Sequence, residues 1–275
     1  MELFGLEFAE LAVRLILGGV IGFCIGLTGV GGGVLVWPAL TLVLRIDPLI
    51  AVGTTTLYAF LTKITATVHH IRLKTVDWGI SCRFLAGAVP ANIITALWVS
   101  RQGTNEAFKG SLRSFIVGVI FFSAVMLVVN LITRARPGIV KKERILADDI
   151  NENEFFRSGV SVLLGVVCGS LIGATSIGGG VLIVPALIIL FALPISRTVG
   201  SSIFIAFVLT LSTSLIYGTR GEQDVVTAVT MAAGSLVGVY HGSRLSVRMP
   251  EKLLQGIVIA LIFIAAVLMV FKQGH

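Results

Sequence analysis

The chain has 275 residues, 56% of them hydrophobic and only 13% charged, with a formal net charge of +7, and its mean hydropathy is +1.00. A water-soluble domain carries about 25% charged residues, so this composition excludes a soluble fold and indicates a multispanning membrane protein. The basic residues sit mostly in loops and segment ends, where they set orientation; they lack interleaved aromatics, so nucleic acid is not an expected partner.

The N-terminus is acidic at Glu2, Glu7 and Glu10 and has no basic n-region or small-residue cleavage site. The first apolar segment therefore reads as a retained span and not a signal peptide. Apolar segments follow at 11–27, 34–46, 49–71, 79–99 and 111–133. A polar run over 134–157 mixes Arg134, Arg136, Lys141, Lys142 and Arg144 with Asp148, Asp149, Glu152 and Glu154, and reads as a solvated linker. Further apolar segments lie at 159–174, 181–193, 197–217, 226–245 and 253–271. A full span needs about 20 residues. Segments 34–46 and 181–193 fall short and read as half-helices or re-entrant pieces. The expected fold is all-α and polytopic: repeat one over 1–133, a cytoplasmic linker over 134–157 and repeat two over 158–275. Cys24, Cys82 and Cys168 lie in apolar segments without a C-x-x-C and read as small buried hydrophobes.

The second half repeats the first at one constant offset. Gly18, Gly22 and Gly26 pair with Gly165, Gly169 and Gly173; Gly33 pairs with Gly180, Pro38 with Pro185, Gly53 with Gly200 and Asp77 with Asp224. Each half holds about five segments, an odd number. Short segments that each return to their own side change the parity; if all five cross or reverse direction, the second half enters the membrane from the opposite face. The halves are then expected to be inverted repeats about a pseudo-two-fold axis in the membrane plane. With the linker cytoplasmic, Arg72, Lys74, Arg134, Arg136, Lys141, Lys142, Arg144, Arg157, Arg197, Arg244, Arg248 and Lys252 lie inside. Arg45, Arg101, Lys109, Arg113, Arg220 and Lys272 lie outside, with both termini. The excess is inside, as the positive-inside rule asks.

Gly18, Gly22 and Gly26, like Gly165, Gly169 and Gly173, recur at every fourth residue. They line one helix face, where another backbone can approach closely. The stretches Thr28-Gly29-Val30-Gly31-Gly32-Gly33 and Thr175-Ser176-Ile177-Gly178-Gly179-Gly180 have a different meaning. Three consecutive glycines cost helix stability about 1 kcal/mol each relative to alanine, so they break a helix inside the apolar region. Paired breaks in two halves point to a transporter's binding site. A helix that starts at Gly33 or Gly180 has free N–H groups and the positive end of its dipole there, an anion site needing no basic side chain. Thr28, Thr175 and Ser176 add hydroxyls beside the breaks.

Asp47-Pro48 has the form of an N-cap followed by proline at the first helical position, and Ser196 is a similar cap candidate. Asp77 and Asp224 also read as caps. Thr54-Thr55-Thr56 and Ser201-Ser202 either line the same cavity or bond back to their own helix carbonyls. Lys63 stands deep in its segment; it either lends positive potential to an anion path or snorkels to the nearer surface. No Asp or Glu lies mid-span, no P-loop motif occurs, and neither metal-ligand spacing nor a nucleophile elbow is present. An enzyme, a cofactor, ATP coupling and a carboxylate proton relay are therefore not expected.

The doubled Thr-Gly-rich stretches with Pro38 and Pro185, together with Gly53-Thr54-Thr55 and Gly200-Ser201-Ser202, resemble the signature of the TauE/SafE family over nearly the whole chain. The resemblance implies a permease of the bacterial inner membrane that exports sulfite, sulfoacetate or a related organosulfonate. The expected function is a secondary transporter that moves such an anion outward by alternating access. The expected substrate-binding residues are Thr28, Gly29, Gly31, Gly32, Gly33, Thr54, Thr55, Lys63, Thr175, Ser176, Gly178, Gly179, Gly180, Ser201 and Ser202. An anion channel on the same scaffold and an uptake permease for a sulfur compound are the alternatives. The expected partners are a small anion and the lipid bilayer.

Overall fold

The computed structural model describes residues 2–3, 6–28, 32–103, 105–134, 154–177, 182–191, 193–246 and positions 256, 260 and 263. After a minimal antiparallel pairing of Glu2–Leu3 with Leu6–Glu7, all regular structure described is helical. The helices are α1 (Phe8–Thr28), α2 (Gly33–Leu42), α3 (Pro48–Arg72), α4 (Trp78–Arg101), α5 (Glu106–Arg134), α6 (Glu154–Thr175), α7 (Ile183–Phe191), α8 (Ile195–Thr219) and α9 (Val225–Ser246). Within the described residues, six are long and apolar enough to cross a membrane: α1, α3, α4, α6, α8 and α9. The apolar segment 253–271 falls almost wholly outside the described residues, as does 135–153 of the polar run.

The short segments become short helices. α2 has 10 residues and α7 has 9. At a 1.5 Å rise per residue each covers about half of a hydrocarbon core about 30 Å thick. Each is enclosed by protein. Val34, Val36, Trp37 and Leu40 of α2 are buried with Ile21, Tyr58, Ala96, Ile116 and Met231. Ile183, Leu187 and Phe191 of α7 are buried with Ile80, Phe84, Ile172, Ile205 and Leu209. The sides turned outward carry apolar residues such as Ile16, Ile94, Phe122, Leu163, Leu215 and Val237, as a lipid-facing surface requires. Cys82 belongs to this outer face and Cys168 is buried, so only the latter fits the buried-hydrophobe expectation fully.

The helix starts follow their caps. Asp47 caps α3, its carboxylate accepting from the Leu49 N–H at 2.9 Å with Pro48 at the first helical position. Asp77 caps α4 through the Ile80 N–H, and Asp224 caps α9 through the Thr227 N–H. Ser196 does not cap α8. That helix begins at Ile195 with Pro194 as its N-cap residue and no side-chain cap. Proline's fixed φ places the start there, and its carbonyl accepts from the Thr198 N–H at 2.9 Å.

The glycine ladders do what their spacing predicts, across the two halves. α1 packs along α9: a methyl at Gly22 would lie 2.5 Å from the Ser235 carbonyl oxygen, and one at Gly26 2.5 Å from that of Val239. α6 packs along α4: a methyl at Gly169 would lie 2.7 Å from the Ala88 Cα and one at Gly173 2.6 Å from the Asn92 carbonyl oxygen. Both pairs run parallel. They also share one register, because Gly22 and Gly169 are repeat mates and so are Ala88 and Ser235. Between these pairs, α3 and α8 run antiparallel. Gly53 near the start of α3 meets Glu222 beyond the end of α8, and Gly200 near the start of α8 meets Thr75 beyond the end of α3. Midway, the repeat mates Phe60 and Phe207 stack at 5.3 Å. Counterpart residues of the two halves thus meet midway along the antiparallel pair.

The seams give a direct test. Gly22→Leu and Gly169→Leu should each force backbones apart, costing about 1–3 kcal/mol as overpacking. Gly118→Ala on α5 should be neutral or better, since a methyl there meets nothing within 4 Å among the described residues. Thermal unfolding of detergent-purified variants measures this. Equal midpoints for all three would contradict the seam.

Candidate functional site

The two helix breaks meet. α2 starts after Gly32, whose carbonyl accepts from the Leu35 and Val36 N–H groups at 3.0 and 2.9 Å. Among the described residues no side chain caps this start, which leaves the dipole end open there. A Cβ on Gly33 would run into the Ser176 carbonyl and lie 3.4 Å from the Ile177 Cα. Gly33 is thus the residue whose missing side chain lets the first half's break touch the second's. Gly32 lies beneath a ring: a Cβ there would sit 3.0 Å from Tyr58 Cε1 and 2.9 Å from Ile25 Cδ1.

Ser176 is the unusual residue of the second break. Its φ of +61° is left-handed, which costs a non-glycine residue roughly 1 kcal/mol. Its side chain is buried, and its hydroxyl has no partner among the described residues. Strain and an unpaired buried hydroxyl in one residue are what a ligand site retains at the expense of stability. Thr175 is engaged locally: its hydroxyl donates to the Leu171 carbonyl at 2.6 Å and accepts from the Ile177 N–H at 3.1 Å. Gly29, Gly31, Gly178, Gly179, Gly180 and the side chain of Thr28 lie outside the described residues.

The hydroxyls after the breaks divide by role. Thr55 is fully buried with its Oγ1 unpartnered among the described residues, as at Ser176. Thr54 donates to the Ile50 carbonyl at 2.7 Å and accepts from the Asp224 N–H at 2.9 Å. Its repeat mate Ser201 accepts from the Asp77 N–H at 2.9 Å. These two bonds tie each half to the cap residue of the other, at opposite ends of the α3–α8 pair. Thr56 bonds the Gly53 carbonyl at 2.6 Å and Ser202 the Val199 carbonyl at 2.9 Å. Lys63 is partly buried and donates to the Ala59 carbonyl at 3.3 Å, back along its own helix.

Several residues at the site carry no motif in the sequence. Tyr58 covers Gly32 and donates to the Ser235 Oγ at 2.8 Å. Tyr217 donates to the Gly173 carbonyl at 3.1 Å, one turn before Ser176. Asn92 donates to the Gly169 carbonyl at 3.3 Å and accepts from Thr213 at 2.8 Å. A tyrosine or asparagine at mid-depth of an apolar segment is the one available signal, since each needs a partner there. The described residues contain no cluster of metal-ligating side chains.

Together these features define a multi-pass membrane protein of two halves that repeat one another in sequence and whose helix breaks meet at Gly33 and Ser176. Residues 14–269 match the family model for the sulfite exporter TauE/SafE, and the chain belongs to that family. The probable membrane transporter protein YjnA of Bacillus subtilis is 32% identical over 256 residues, covering 93% of this chain and 98% of its own. YunE of the same organism, also named a probable membrane transporter protein, is 28% identical, covering 90% and 91%. A probable membrane transporter protein of Xylella fastidiosa is 29% identical, covering 94% and 93%. No solved structure matches the chain.

Adjacent threonines should respond oppositely to the same change. Thr54→Val strands the Asp224 N–H and should cost about 1–3 kcal/mol. Thr55→Val removes a hydroxyl that has no partner among the described residues, and should leave stability unchanged or raise it. Chemical denaturation in detergent compares them; equal losses would mean that Thr55 is also structural.

Proposed function

We propose that the chain is a secondary transporter for a small sulfur-containing anion such as sulfite, sulfoacetate or a related organosulfonate. The observation that carries this reading is the contact of the two breaks: the uncapped start of α2 lies against Ser176, whose buried hydroxyl is unpaired among the described residues. Free N–H groups, a dipole worth about half a positive charge and a hydroxyl donor make a site for an oxyanion without a fixed cation. Such a site binds without the desolvation cost of a buried lysine or arginine, and it releases its ligand readily. Thr55, whose hydroxyl has no partner among the described residues, is the second donor of this reading. Tyr58 forms an aromatic wall beside Gly32. Thr54 and Ser201 act at a distance, holding the ends of the halves in place.

The transport reading also draws on symmetry. The antiparallel α3–α8 pair and the crosswise seams fit two halves inverted about an axis in the membrane plane, with the anion near that axis. Rocking one half against the other would then open the site to each side in turn. The charges sort accordingly. Arg72, Lys74 and Arg197 gather at the end where α3 gives way to α4; Arg45, Arg101 and Arg220 lie at the other. With the linker cytoplasmic, the first end faces inward, and export is the direction the family's name suggests.

Binding should depend on the breaks. Gly33→Val pushes a branched side chain into the Ser176 backbone, and we expect anion affinity to fall at least tenfold, about 1.4 kcal/mol. Thr55→Val should cost about 0.5–1.5 kcal/mol, or about twice that if the bond is charge-assisted. Calorimetry with sulfite and sulfonates on monodisperse protein reads both. Wild-type affinity in both variants would place the site elsewhere, with Lys63 the next candidate.

A further inference from the structure

We propose that the turn between α8 and α9 is a proton-operated latch over one end of the transport path, with Glu222 as its proton-binding group. Its role as a gate rests on the transport reading above; its chemistry does not.

The two ends of the α3–α8 pair are closed by the same device. At one, Gly53 packs on the Glu222 carbonyl and Thr54 accepts the Asp224 N–H. At the other, Gly200 packs on the Thr75 carbonyl and Ser201 accepts the Asp77 N–H. Even the turn conformation repeats, with Gly221 at φ +71° and its mate Lys74 at +55°. Of these closing residues the first end carries a carboxylate, Glu222, where the second carries Thr75. The Glu222 carboxylate reaches back across the halves. One oxygen bonds the Ser100 hydroxyl near the end of α4, and the other lies 3.2 Å from where a methyl on Gly103 would be. The turn is also tied to the site. The Glu222 N–H donates to the Tyr217 carbonyl at 2.9 Å, and the Tyr217 hydroxyl donates to the Gly173 carbonyl in the last turn of α6, just before Ser176.

Burial and the neighbouring groups pull the Glu222 carboxyl in opposite directions. Burial pushes the Glu222 carboxyl above its ordinary range, against the Ser100 hydroxyl and the Arg220 guanidinium, which favour the ionised form. The neighbouring titratable groups are Tyr217 of α8 and Asp224, the cap residue of α9, whose carboxylate accepts from Thr227; Arg101 ends α4. Lys109 at this end is paired with Asp47 and Glu106. A raised value in the closed turn means that closure takes up a proton. The closed latch is favoured below the ordinary carboxyl range, near pH ~4.3, and that advantage is lost as pH rises through the closed-state value. Ionised Glu222 gains by leaving the turn for water, which frees the end of α4 from the α8–α9 turn.

Hydrogen exchange of the full-length protein in lipid nanodiscs, followed from pH 4.5 to 7.5 and normalised to intrinsic rates, reads the latch directly. Protection of the 221–225 amides should fall as pH rises in wild type. Glu222→Gln keeps the shape without the charge and should hold protection constant. Ser100→Ala removes a bond worth most to the ionised form. It should speed exchange about tenfold at pH 7.5 and little at pH 4.5. Identical pH profiles for wild type and Glu222→Gln would overturn the proposal, as would a wild-type turn whose protection ignores pH. Anion calorimetry on the same samples separates the two readings. Titrating protection without anion binding leaves the latch and removes the transport assignment; binding with a pH-blind turn does the reverse.

Discussion

Two glycine seams hold the molecule together. In hydrocarbon there is no hydrophobic gain from pressing one apolar helix on another, so association depends on close van der Waals approach. Gly18, Gly22 and Gly26 let α1 lie against the backbone of α9, and Gly165, Gly169 and Gly173 do the same for α6 on α4. Each seam joins a helix of one half to a helix of the other, so neither half is a separable unit. The α3–α8 pair fills the middle, and the half-helices α2 and α7 are enclosed by side chains of both halves. Enclosure is what permits broken helices at this depth, because free N–H and carbonyl groups cannot face lipid.

Against that tightly joined frame, the few unspent polar groups stand out. Many buried hydroxyls bond back to their own helix, as Thr56, Thr210 and Thr213 do. The hydroxyls of Thr55, Thr67, Ser81, Ser123 and Ser176 have no partner among the described residues, and of these Ser176 also holds a backbone angle that glycine would occupy without strain. Its repeat mate is Gly29, so the unstrained residue exists in the family of choices and was not used at this place. The symmetry is broken elsewhere in ways that matter to a ligand. Tyr58 faces Gly32 where the second half has Ile205, and Trp37, whose indole donates to the Pro48 carbonyl at 3.2 Å, stands where the second half has Val184. The two breaks therefore contribute unequal walls to one shared place.

Much of this is legible in the chain itself. Gly-x-x-x-Gly spacing marks faces of close approach, segment length marks the half-helices, and Asp47-Pro48 marks a helix start. What spacing cannot supply is the partner. Nothing local says that Gly22 meets Ser235 and not a helix of its own half, or that Glu222, in a short loop, turns back onto Ser100. Nor can it separate Thr54 from Thr55, identical neighbours whose hydroxyls face opposite requirements set by the second half. Ser196 misleads for a local reason: it has a capping side chain, but Pro194 has already fixed the chain's direction two residues earlier.

The central claim is that one anion is held where the breaks meet and is carried from side to side. Counterflow in proteoliposomes tests it most directly. Vesicles holding the full-length protein and loaded with unlabelled sulfite are diluted into labelled sulfite. The account predicts saturable uptake with a transient overshoot of label, which Gly33→Val abolishes. Flux that rises linearly with concentration and shows no overshoot would instead describe a channel, and the moving site would be contradicted.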